Sequence, residues 1–130
     1  MKSWLLAGFL FLPPCAAIAC ISSAPDPRSA ARGTVLVGYI TGEAFPDWEA
    51  SLIKGGPTEH SLFGRRVVRV TFTHAITGEM IGALEVETPC YASVPEIGER
   101  AIVVRLDGAD YVVPATSEYE SAVQSAAQTR

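Results

Sequence analysis

Residues 65–90, RRVVRVTFTHAITGEMIGALEVETPC, restrict the possible folds more than any other stretch of the chain. Val68, Val70 and Phe72 alternate with Arg69, Thr71 and Thr73. A repeat of two belongs to a strand with one face buried, whereas an amphipathic helix repeats near 3.6. After the turn pair Thr77-Gly78, Leu84 and Val86 face one way and Ala83, Glu85 and Glu87 the other. A turn centred near Thr77 brings Arg69 opposite or diagonal to Glu85 and Glu87. Such cross-strand charge pairs contribute roughly 0.2–1 kcal/mol each and hold the register. The basic cluster Arg65, Arg66 and Arg69 therefore reads as a solvated, charge-paired strand face.

The flanking segments are read against this hairpin. Gly33 opens TVLVGYIT, apolar on both faces and rich in β-branched residues, as a buried central strand requires. Gly38 within it predicts a bulge or a close backbone approach. Ile102, Val104 and Leu106 alternate with Val103, Arg105 and Asp107, and Asp107-Gly108 suits the positive φ angles of a tight hairpin leading into Tyr111–Val113. Between the first strand and the hairpin, Asp47 is placed as the N-cap of a short helix with Trp48 and Leu52 on one face. Ser117 and Glu120 have the spacing of a capping box, and Tyr119, Val123 and Ala126 or Ala127 mark one face of a terminal helix. Five antiparallel strands with interior glycines predict a mainly β fold: a small five-stranded, OB-like, partly open barrel over 33–115, followed by a C-terminal helix and tail over 116–130. A β-sandwich is the alternative.

The first nineteen residues read as a signal peptide. Lys2 precedes the apolar run Trp4–Leu12, Pro13-Pro14 breaks it, and Ala17-Ile18-Ala19 supplies small residues for cleavage. The run is too short for a membrane span, which needs about 20 apolar residues. Export, to a periplasmic or secreted location, follows as the expectation. Residues 20–32 read as a flexible lead-in. Cleavage after Ala19 exposes Cys20, and two fates are open to it. Ala17-Ile18-Ala19-Cys20 is similar to a bacterial lipobox, after which the cysteine is acylated and anchors the chain to a membrane. Alternatively, Cys20 and Cys90 are the only cysteines left once Cys15 departs, an even pair in an oxidising compartment.

Charge and motif content narrow the function. A net charge of −4 leaves no basic face for phosphates and argues against nucleic acid as a partner. The sequence contains no G-x-S-x-G, H-E-x-x-H, C-x-x-C or glycine-rich phosphate loop, so neither a catalytic residue nor a metal or cofactor site is assigned. His60 and His74 share no ligand spacing. His74, with Thr73 and Glu79 close in sequence, reads as a strand-end histidine satisfied by backbone. Glu85 and Glu87 read as solvated. The expectation is an exported, non-enzymatic binding module of the cell envelope whose partner is an unidentified protein or envelope component. A membrane-anchored lipoprotein with a structural role is the alternative.

Thr34–Gly42 (TVLVGYITG), Val67–Phe72, Val86-Glu87-Thr88 and Cys90 followed by Ile97–Val104 (IGERAIVV) occur in the order found in netrin-like domains. Over roughly residues 33–113 the chain resembles that OB-fold family, which includes the tissue inhibitors of metalloproteinases. The resemblance implies a disulfide between the N-terminal Cys20 and the mid-domain Cys90. That bond would close a loop of about 70 residues, worth roughly 4 kcal/mol in chain entropy. In the inhibitors the terminal cysteine's amine and carbonyl chelate the protease zinc, so metalloprotease inhibition is a further implied function. Cys20-Ile21-Ser22 stands here where those inhibitors have Cys-x-Cys, and Tyr91 where a glycine commonly follows the central cysteine.

Overall fold

A computed structural model describes residues 24–54, 65–88 and 94–129. The described chain runs α1 (Pro27–Arg32), β1 (Thr34–Ala44), α2 (Pro46–Ile53), β2 (Arg66–Thr77), β3 (Ala83–Thr88), β4 (Arg100–Leu106), β5 (Ala109–Pro114) and α3 (Ser117–Gln128). All five strands join one antiparallel sheet in the order β3-β2-β1-β4-β5, not the two stacked sheets of a sandwich. The edge strands β3 and β5 approach each other without pairing, so the sheet curls towards a barrel and stays open. The mainly β, OB-like architecture with a C-terminal helix is the one the strand pattern predicts.

Curling requires β1 to bend, and its ladder with β2 shifts register at three places. One lies at Gly38, where a Cβ would collide with the carbonyl oxygen of Thr71. Only a residue without a side chain lets the two backbones come this close. The hairpin register sets Arg69 opposite Glu85 and Val68 opposite Val86, which is the pairing a turn centred at Thr77 dictates. Asp107 and Gly108, both at positive φ, close the β4–β5 hairpin.

The curled sheet has a core on each face. Inside the barrel lie Leu36, Ile40, Val68, Val70, Phe72, Val86, Ala101, Val103 and Val112. On the outer face Val35, Val37, Ile102, Val104 and Val113 meet Ala30, Ala31 and Val123 of the two packed helices. This is why β1 and β4 are apolar at consecutive positions: neighbouring side chains serve different cores.

The structure corrects several local expectations. Residues 27–32 are not part of a flexible lead-in but form α1. Asp26 caps it, its Oδ1 accepting from the amides of Arg28 (3.0 Å) and Ser29 (3.2 Å), and Ala30 is fully buried. Alanines that look like tether in sequence are what let this helix lie flat on the sheet and on α3. Asp47 is not an N-cap; it sits in the first turn of α2 and reaches Arg65, 18 residues on. Trp48 is half-buried, but Leu52 and Ile53 at the end of α2 are 53% and 88% exposed. Finally, α3 is capped by Thr116, whose Oγ1 accepts from the Tyr119 amide at 3.2 Å. The cap falls one residue before Ser117, so Glu120 is not its capping-box partner and is freed for another role.

Candidate functional site

The barrel has a mouth where β1 ends, β2 begins and the segment Val94–Glu99 crosses towards β4. Its central residue is Arg66. Parity places it in the inward row with Val68, Val70 and Phe72, and it is 4% exposed. Burying a guanidinium requires nearly every donor to be used. Nε and Nη2 both bond the same Glu43 oxygen, Oε2, at 2.9 and 2.7 Å. Nη2 also reaches the carbonyl of Pro95 (3.2 Å) and Nη1 that of Val94 (3.4 Å). The Arg66 carbonyl accepts from the Thr88 hydroxyl at 2.9 Å.

The expected cluster of three solvated arginines therefore divides. Arg66 is interior. Arg65 is half-exposed and binds Asp47 through its amide (2.8 Å) and its guanidinium (3.1 Å), with Glu87 at 3.6 Å. That contact holds the Asp47 carboxyl below its usual range and raises Arg65. Arg65 thus keeps the solvated, charge-paired character expected of it, as does Arg69 on the outer face opposite Glu85; only Arg66 departs from it.

Beside Arg66 and Glu43 opens a cleft of about 500 Å³, walled by Phe45, Val94, Glu96 and Ile97. Ile97 is 55% exposed. An aromatic and two aliphatic side chains around a charged floor form the kind of concave surface that proteins use for recognition. On the helix side of the sheet, Glu120 pairs with Arg100 at 2.9 Å and faces His74 Nε2 at 3.6 Å. His74 Nδ1 lies 3.0 Å from the Thr73 hydroxyl. His74 is thus held by side chains, with Glu120 and not Glu79 as its carboxylate. The three residues tie α3 to β2 and β4.

Cys20, Cys90 and His60 lie outside the described residues, Cys90 two positions beyond Thr88 at the mouth. Among the described residues no three His, Cys, Asp or Glu side chains gather as metal ligands, and no helix is long and apolar enough to cross a membrane. Of the mouth residues, Arg66 reads as solvated in the sequence, although its parity with Val68, Val70 and Phe72 is a signal that could have placed it inward. Glu43 carries no such signal, because only the three-dimensional course of β1 brings it there. No protein-family model matches the chain, and no curated protein matches it either.

Proposed function

We propose that the chain is an exported, non-enzymatic binding module of the cell envelope that meets a protein partner at the mouth of its barrel. The observation that carries this reading is the cleft between Phe45, Val94 and Ile97, with an exposed isoleucine beside the buried Arg66 and its solvent-reaching partner Glu43. Exposed apolar side chains beside polar groups fixed by an ion pair are characteristic of protein-contact surfaces. The leader-like residues 1–19 support the envelope location, and the order of the netrin-like segments supports a Cys20–Cys90 bridge. The test is a photo-crosslinking amino acid at Ile97, compared with one at Asp107 in the hairpin at the far end. A discrete adduct at Ile97 alone supports the reading. No adduct, or equal adducts at both positions, counts against it.

A second reading, a structural lipoprotein anchored through acylated Cys20, is favoured by the short reach of its tether. The Pro25 carbonyl, five residues after Cys20, is held by the Tyr119 hydroxyl at 2.6 Å. Five residues span about 17 Å at most. A lipid there would hold the helix-covered side close to the bilayer. Intact mass with and without reductant separates the cases. A diacylglyceryl increment identifies the anchor, and a gain of two hydrogens on reduction identifies the Cys20–Cys90 bridge.

A further inference from the structure

We infer that Val94–Glu99 is a lid over the barrel mouth, with Val94 as its plug, the Glu43–Arg66 pair as its latch and Gly98 as its hinge. Three independent observations meet in this segment. Val94 packs against the barrel's interior cluster, although it belongs to no strand. Directly behind it the Arg66 side chain, buried and bonded to Glu43, holds the carbonyls of Val94 and Pro95. At the other end Gly98 adopts φ +88°, a left-handed conformation that strains any side-chain-bearing residue, with open space around it.

At its hinge end the lid is fastened by backbone bonds and by the Glu99 carboxylate, whose Oε2 accepts from the Glu96 amide at 2.8 Å. The Gly98 amide donates to the Ile40 carbonyl (2.8 Å), the Ile40 amide to the Glu99 carbonyl (3.0 Å), and the Glu99 amide to the Glu96 carbonyl (3.0 Å). The latch is the only place among the described residues where a charged side chain is fully interior. With Arg66 buried and Glu43 at the surface, the pair adds little stability compared with apolar packing, but it fixes where the guanidinium and the carbonyls it holds must sit. The position so fixed is that of the lid. The neighbouring layer of the barrel is Val68 opposite Val86, and Glu43 pairs with Val68 on β1. Lifting Val94 would expose part of the interior cluster against which it packs. The cleft beside Ile97 is open while the lid is closed, and lifting the lid would deepen it into the barrel interior. The lid itself stands on contacts within this chain, whether or not a partner docks at Ile97.

Native-state hydrogen exchange on the full mature chain, with the dye 8-anilinonaphthalene-1-sulfonate as the apolar probe, tests the inference. In the wild type the Ile40, Gly98 and Glu99 amides should exchange through a local opening, faster than the amides of Leu36 and Val103. Glu43→Gln weakens the latch, and Gly98→Ala strains the hinge without touching charge or core. Each should speed exchange at the lid by about tenfold or more, leave the core amides unchanged, and increase dye binding. Lid amides that follow the core amides in all three proteins overturn the inference. So does faster lid exchange without added dye binding. Because no partner is needed, this result is separate from the crosslinking outcome at Ile97.

Discussion

Single side chains decide how closely the layers approach, and two of them give direct tests. At Gly38 the β1 backbone lies against the Thr71 carbonyl, so Gly38→Ala forces two central strands apart. Overpacking of this kind costs about 1–3 kcal/mol, to be read as a lower denaturation midpoint with an unchanged slope. Tyr119 donates its hydroxyl to the Pro25 carbonyl and so ties the chain's entry to α3. Burial, and secondarily the nearby Asp26 charge, raise the phenol above its ordinary 10.0. The unfolded chain then loses this proton at lower pH than the folded one. The stability is complete below about pH 10 and falls as pH rises through the raised value. Tyr119→Phe should cost about 0.5–1 kcal/mol at neutral pH, with a flatter alkaline limb in a pH series of thermal melts.

At the scale of elements, α1 was hidden and the strands were not, for a physical reason. A strand's period of two shows in six residues, and β2 and β3 display it, while β4, buried at four consecutive positions, is marked instead by its β-branched run and the Asp-Gly turn that follows. A helix of six residues has too few turns for periodicity, and α1 is held by its cap and by docking of two alanines, neither of which has a repeating signature. The signal that was present is Asp26-Pro27, an acceptor at the cap position followed by proline at the first helical position. The same limit explains the one-residue error at α3, where Thr116 and Ser117 are both competent caps and only the backbone chooses. Asp26 gives the acid test of α1. Its bonds to the Ser29 hydroxyl and amide hold the carboxyl below its usual 3.8. Its contribution is therefore present above that ordinary value and lost as pH falls through the depressed one. The amides of α1 should keep their exchange protection to about pH 4 and lose it below, before β1 and β4 do. Asp26→Ala should lose that protection at neutral pH as well.

Over the whole molecule, legibility of the sequence ended where contacts join distant segments. The open barrel followed from local alternation, but its mouth did not, because Glu43, Arg66 and Val94 come from three separate stretches. The helix layer likewise depends on α1 and α3 meeting from opposite ends of the chain. This layout determines how the molecule should unfold. In β1, Val35 and Val37 serve the helix-side core while Leu36 and Ile40 serve the barrel interior, and β4 divides in the same way. Removing the helices exposes Val35, Val37, Ile102 and Val104 on the two central strands, so no stable barrel is left to unfold separately. Val123→Ala, in the helix layer, should cost about 1–3 kcal/mol and move a single transition, with near- and far-ultraviolet circular dichroism still coincident. A chain ending at Thr116 should show no cooperative melt. Two separate transitions in the Val123 variant, or a cooperative melt of the shortened chain, would mean that the barrel is stable without its helices and that the shared strands do not couple the two cores.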